Sequence, residues 1–230
     1  MKEKDLTEKD YWKKVTDVLG NRQIELGQHW SYNLLNDPKR LAFVLSRYKF
    51  VAKMGAKDKK VLELGCSEGI GTPILSEFAQ QYTGVDMDKD AIESARRNWT
   101  DSKVVFIEDD FLNKSYGGFD TVVSLDVIEH IMQDSEYLFW DTIYNNLGRD
   151  GIGIVGTPNI TSTPYASQAS RLGHVNMFTH ERLKECMEKL FHNVFVLGMN
   201  DEIVHTGFMP MAHYLIAVGC NKKKIKGEAV

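Results

Sequence analysis

The chain has 230 residues, 43% hydrophobic composition and a net charge of −4. That length suits one globular domain with a sizeable core, and the acidic balance excludes the basic footprint of a nucleic-acid binder. Three scattered cysteines, Cys66, Cys186 and Cys220, read as reduced thiols of a cytoplasmic protein, not a disulfide framework. No apolar run reaches transmembrane length. The charged start MKEKDLTEKD lacks the apolar core of a secretory signal.

Residues 1–56 read as an N-terminal helical cap or lid, 57–220 as the main α/β domain and 221–230 as a basic tail. In the first part, Asn36 or Asp37 is expected to cap a helix with Pro38 in its first turn. Strands and helices then alternate. Val61–Leu64 is a strand and 72–80 a helix; Tyr82–Val85 is a strand ending at Asp86, and Asp88 caps the helix DKDAIESARRN. Strands at 104–107, 119–125 and 151–157 follow, with a helix at 135–147 between the last two. A polar loop, a helix at 180–190 and the strands VFVLG and HYLIAVG complete the pattern. Such alternation predicts a Rossmann-like, doubly wound parallel sheet. The last two strands have no helix between them, so the final one should be antiparallel. The run KKKIK, Lys222–Lys226, reads as a frayed, solvated end.

Ligands of such sheets bind beyond the carboxyl ends of the strands. In VLELGCSEGIGT, Gly65, Gly69 and Gly71 allow a ligand to approach the backbone. The dinucleotide fingerprint fails here, because GIGTPI lacks its third glycine. Three acids narrow the choice. Glu63 lies at the end of the first strand, Asp86 ends the second, and Asp110 follows the third. Asp86 can accept from ribose hydroxyls and Asp110 from an adenine amine. An acid-rich rim suits a cationic cofactor without phosphates, and S-adenosylmethionine fits that description better than NAD.

VLELGCSEGIGT, GVDMD, FIEDDF and FDTVVSLDVIEHI, in that order and spacing, resemble the class I S-adenosylmethionine-dependent methyltransferases. The resemblance covers roughly 60–160, and GHVNMFTHERLKECMEK resembles members that methylate small molecules. It implies a seven-stranded sheet with an antiparallel last strand. It also implies S-adenosylmethionine as cofactor and S-adenosylhomocysteine as product. By position, Glu63, Gly65, Cys66, Ser67 and Gly69 form the turn at the methionine part of the cofactor. Asp86, with Met87 beside it, binds ribose; Asp110 binds the adenine amine and Phe111 packs on the ring; Asp126 lies near the sulfonium. Ser67 departs from the usual glycine, which leaves its backbone angle open.

Methyl transfer needs an aligned acceptor and, for a hydroxyl, a group that takes its proton. If a helical turn starts at DVIEH, then Asp126, Glu129 and His130 share one face. His130 reads first as a general base, with His174 as its partner in catalysis. The alternative is a divalent metal held by Asp126, Glu129, His130 and His174. That set resembles the sites of small-RNA 2′-O-methyltransferases, which usually have Glu in the place of Asp126. A purely structural hydrogen bond is the third reading. Tyr165, Arg171 and Asn176, in the loop 157–176, and His29 and Trp30, before a capped helix, are candidate substrate contacts. His205 and FMPM are further candidates for the acceptor pocket, and His213 reads as a sheet residue. The expected function is methylation of a small acceptor at oxygen, with a sugar or surface-polysaccharide precursor favoured. A non-catalytic cofactor-binding module is the rival from another class. No nucleic-acid partner and no membrane insertion are expected, and the protein should be a monomer or homodimer.

Overall fold

The computed structural model of the chain describes residues 6–224. Their frame is one mixed sheet. Its strands are β1 (Lys60–Leu64), β2 (Gln81–Asp86), β3 (Val104–Glu108), β4 (Phe119–Leu125), β5 (Leu147–Pro158), β6 (Phe191–Asn200), β7 (Ile203–His205) and β8 (Tyr214–Lys222). The order is β3-β2-β1-β4-β5-β8-β6-β7. Pairings among β1 to β5 are parallel, and β8 runs antiparallel between β5 and β6. The expected doubly wound sheet with its antiparallel final strand is present. The strand beyond the expected seven is β7, which pairs with β6 after a turn in which Asp201 has φ 51°. Three residues are too few for a period-two pattern to register in the sequence.

The helices are α1 (Glu8–Leu19), α2 (Gln28–Asn36), α3 (Lys39–Val51), α4 (Thr72–Phe78), α5 (Lys89–Asn98), α6 (Glu136–Asn146), α7 (Gln168–Gly173) and α8 (His180–Leu190). None is long and apolar enough to cross a membrane. The central strands read as near-continuous apolar runs because both faces are covered. Alternate residues serve opposite layers. Leu62 and Val122 join a core with Phe139, Ile143 and Leu183. Val61 and Val123 join the other core with Val51, Leu75 and Ile92.

Three local expectations change. Pro38 itself stands at the N-cap of α3, with no side-chain bond capping it. The Asn36 amide turns back to the Tyr32 carbonyl, and Asp37 ends α2. The loop after β5 is two short helices, a 3-10 helix at Ile160–Tyr165 and α7. The basic run is partly structured: Lys222 is the last residue of β8, lies over the Tyr144 ring at 3.8 Å and donates to the Leu147 carbonyl. Ile225 and Lys226 lie outside the described residues. Asp88 does cap α5, accepting from the Ala91 N–H at 3.1 Å.

One acid lies inside the sheet. Glu63 is 1% exposed, and its carboxyl accepts from the hydroxyls of Tyr48, at 2.6 Å, and Tyr82, at 2.5 Å. Burial pushes this carboxyl up to about 7, against the two hydroxyl bonds that favour the anion, and the Asp86 charge adds to the rise. The folded state therefore holds the proton more tightly than the unfolded chain does. The stabilisation is complete below the ordinary carboxyl value and is lost as pH rises through about 7. Its size is about 3 kcal/mol. Thermal melts should accordingly show Tm falling between pH 5 and 8, with a shallower fall in Glu63→Gln. Equal slopes for the two proteins would exclude this role.

Candidate active site

The turn after β1 carries three left-handed residues: Gly65 (φ 81°), Ser67 (φ 48°) and Gly69 (φ 71°). A Cβ on Gly65 would lie 2.2 Å from Val127 Cγ2, so only glycine lets the turn approach the end of β4 this closely. Ser67 adopts the angle that glycine usually supplies. Its N–H donates to Asp86 Oδ2 at 2.8 Å, which ties the turn to the end of β2. The other Asp86 oxygen accepts from the Asp88 N–H at 2.9 Å. Each carboxylate oxygen offers two lone pairs, so both retain capacity for a ligand.

A cavity of about 560 Å³ opens at this turn. Gly65, Cys66, Ser67, Asp86 and Met87 form one wall; Asp110, Phe111 and Leu112 form another. Asp126, Glu129, His130 and His174 close a third side, and His29 and Trp30 enter from α2. Two expected members lie off this wall. Glu63 sits beneath the turn, occupied by its two tyrosines. Gly69 shapes the turn instead, where a Cβ would meet Thr72 Oγ1 at 2.9 Å. Cys66 is a packing residue, and burial pushes its thiol well above the ordinary value.

A second cavity of about 360 Å³ shares Arg40, Asp126 and His174 with the first. Tyr165, Arg171 and the hydroxyls of Ser162, Thr163, Ser167 and Ser170 line it. His213, just before β8, is exposed and stands beside Tyr165 in this cavity. Asn176 does not reach either cavity. It is fully buried, donates to Glu136 Oε2 at 2.9 Å and accepts from Arg182 Nη1 at 2.8 Å. His205 lies on β7 with its Nε2 at 2.9 Å from Asn200 Oδ1, and Phe208 and Met211 are exposed away from both cavities.

The expected helical face at DVIEH is broken at its start. Asp126 has φ 57°, outside the helical region, so it is not part of the 3-10 turn Ile128–His130. Arg47 Nη1 donates to its two oxygens at 2.8 and 2.7 Å, and the Arg47 guanidinium lies over the Tyr214 ring at 3.6 Å. Asp126 is thereby removed from the four-ligand metal set. Sequence reasoning missed both Arg40 and Arg47. Their spacing of seven on α3 would have marked one polar stripe on an otherwise apolar face.

Glu129 turns inward and is fully buried. Oε2 accepts from Thr157 Oγ1 at 3.0 Å, and Oε1 has no partner among the described residues. Burial, then the Asp126 charge, pushes this carboxyl up to about 8. Its backbone carbonyl accepts from the N–H groups of Val175 and Asn176, at 2.8 and 3.0 Å, which draws His174 to His130. The two rings meet edge to face with centroids 5.0 Å apart. His130 Nδ1 lies 2.9 Å from the Gly173 carbonyl. A carbonyl only accepts, so in the neutral ring Nδ1 carries the proton and Nε2 keeps a free lone pair. Burial, then His130, lowers the His174 pKa and favours its neutral ring.

S-adenosylmethionine suits these walls. Asp86, Asp110, Asp126 and Glu129 face the cavity, and Arg40 is the one lysine or arginine that lines it among the described residues. A pyrophosphate would meet mostly carboxyl groups, whereas a cation bearing adenosine and one carboxylate would not. Gly65, Ser67 and Asp86 would hold its amino-acid and ribose parts, and Phe111 offers a ring for adenine.

The profile of the methyltransferase-domain family matches residues 22–190. The chain belongs to this methyltransferase-domain family. It is similar to the ubiquinone biosynthesis O-methyltransferase of Vibrio campbellii, with 26% identity over 142 residues, covering 54% of this chain and 58% of the relative. The enzyme of the same name from Glaesserella parasuis is 29% identical over 143 residues, covering 58% and 57%. The chain thus spans little more than half the length of these curated relatives. Among solved structures, the N-methyltransferase NodS of Bradyrhizobium japonicum in complex with S-adenosylhomocysteine superposes with a TM-score of 0.60. It has 18% identity and coverage of 83% of this chain and 91% of that one, a likeness of fold.

Asp86→Ala removes the turn anchor and, if the cofactor binds as its walls suggest, a ribose acceptor. Charge-assisted hydrogen bonds contribute about 1.5–3 kcal/mol each, so calorimetry should show S-adenosylhomocysteine binding weakened by at least about ten-fold. Unchanged affinity would refute the assignment.

Proposed function

We propose that the protein transfers a methyl group from S-adenosylmethionine to an oxygen of a small polar acceptor. A sugar or sugar phosphate, of the kind used to build surface polysaccharides, is the favoured class. One observation carries this reading. The second cavity meets the first at Arg40, Asp126 and His174, and its walls carry hydroxyls and three arginines, Arg40, Arg47 and Arg171, beside apolar side chains such as Phe43 and Met177. Such walls match a hydroxylated acceptor by exchange of hydrogen bonds with water. The names of the curated relatives support oxygen as the acceptor atom.

The bound cofactor supplies a methyl group already activated by its sulfonium. The residues of this chain then align the acceptor and take its proton. Arg40 stands where it can hold a carboxylate of the cofactor, and Arg171 and Tyr165 face the acceptor. His130 Nε2 and the neutral His174 ring provide lone pairs at the junction of the two cavities. His130→Ala and His174→Ala should leave S-adenosylhomocysteine affinity unchanged while slowing transfer by about 10²–10⁴-fold. Full activity in both variants would remove them from catalysis.

A second reading rests on the convergence of Glu129, His130 and His174, whose ligand atoms all lie within 4.8 Å of one another. These are suitable donors for a divalent cation. In that case a chelator should abolish transfer and magnesium, manganese or zinc should restore it. Indifference to the chelator would leave the two histidines as bases.

A further inference from the structure

Glu68 follows Ser67 in the glycine turn and is 6% exposed, yet no ion pair among the described residues involves it. Its two oxygens accept from backbone N–H groups instead: His29 at 2.7 Å and Trp30 at 3.3 Å. These groups open the first turn of α2, whose own N-cap residue, Gly27, makes no side-chain bond. Glu68 therefore caps α2 from a distant part of the chain. The unpaired N–H groups and dipole of a helix start favour a negative charge there. Gly27 allows the contact, because a Cβ at that position would lie 2.4 Å from Glu68 Cδ.

The capped turn delivers His29 and Trp30 to the cofactor cavity. From the N-terminal side Leu26 packs against the core around Tyr48 and Val51, while α1 buries none of its residues. Among the described residues, polar ties also hold it upstream. Arg22 Nη2 donates to the Asn98 carbonyl at 2.6 Å, and the Asn98 side chain pairs with the Glu25 backbone at 3.1 and 2.8 Å. The strap from Arg22 to Trp30 is thus fastened to α5 at one end and to the cofactor turn at the other.

We propose that Glu68 is a positioning residue that seats this strap on the cofactor site, so that cofactor binding and strap seating form one coupled equilibrium. Ser67, its neighbour, donates to Asp86. The turn that Asp86 orders is therefore the turn that presents Glu68. A ligand that orders the turn favours the seated strap, and the seated strap raises affinity for that ligand by the same factor. The inference rests on the S-adenosylmethionine reading of the first cavity.

The test combines calorimetry with S-adenosylhomocysteine and limited trypsinolysis at Arg22, in wild type, Glu68→Ala, Glu68→Gln and Gly27→Ala. In the wild type the ligand should slow cleavage at Arg22. Glu68→Ala should lose about ten-fold in affinity and be cut rapidly with or without ligand. Glu68→Gln keeps the shape without the charge and should fall between. Gly27→Ala leaves the carboxylate in place but forces α2 away, and should reproduce the loss if Glu68→Ala does not fold. Wild-type affinity together with wild-type protection in the Glu68 and Gly27 variants would overturn the proposal. Absence of ligand binding by the wild type would instead refute the cofactor reading. Cleavage of the ligand-free proteins would then still decide the anchor, with equal rates overturning it.

Discussion

A carboxyl group buried at the end of β1 fixes the rest of the site. A buried polar group is costly unless its hydrogen bonds are met. Glu63 meets them with Tyr48 from α3 and Tyr82 from β2. The Tyr48 ring also fills the space beside Gly71, where a Cβ would lie 2.0 Å from its Cε1. Helix α3 is thereby located against the glycine turn by one hydrogen bond and one close contact. Everything that α3 contributes, Arg40 and Arg47 included, depends on that seating.

Arg47 then transmits the position of α3 to the second cavity. It pairs with Asp126 and stacks on Tyr214 of β8, so the N-terminal helices, β4 and the antiparallel strand meet at one guanidinium. With 13% and 25% of their side chains exposed, the pair is partly desolvated. Such pairs contribute modest net stability but are costly to break from one side. Their greater consequence is geometric. Asp126 is held by Arg47 at the junction of the two cavities, and the convergent set is Glu129, His130 and His174.

The sheet, and the gathering of Gly65, Ser67, Asp86 and Asp110 around one cavity, were legible in the sequence because their signals are local. A strand that stops at an acid puts Asp86 at the rim whatever the rest of the chain does. The antiparallel final strand followed from a missing helix. Long-range partners carried no such signal. Asp126 and Arg47 are 79 positions apart, and Glu68 and Trp30 are 38 apart. Asn176 looked like a loop residue open to substrate, but Arg182 and Glu136 had already claimed its amide. The face expected at DVIEH presumed a continuous helical turn, and a left-handed Asp126 ends that premise.

Ser67 shows how a turn built for glycine tolerates another residue. A non-glycine residue in the left-handed region costs about 1–2 kcal/mol. A hydrogen bond to a charged group contributes about 1.5–3 kcal/mol, and Ser67 makes one from its N–H to Asp86. The bond offsets the strain, but only while Asp86 is an anion in its observed place. The serine side chain itself makes no part of that bond, so the turn keeps the hydroxyl free to face the cavity. At Gly65 no such compensation suffices, because Val127 blocks a side chain in addition to the left-handed backbone angle. Of the positive-φ positions in this turn, the one that has lost its glycine is the one where a neighbouring carboxylate can hold the backbone in place.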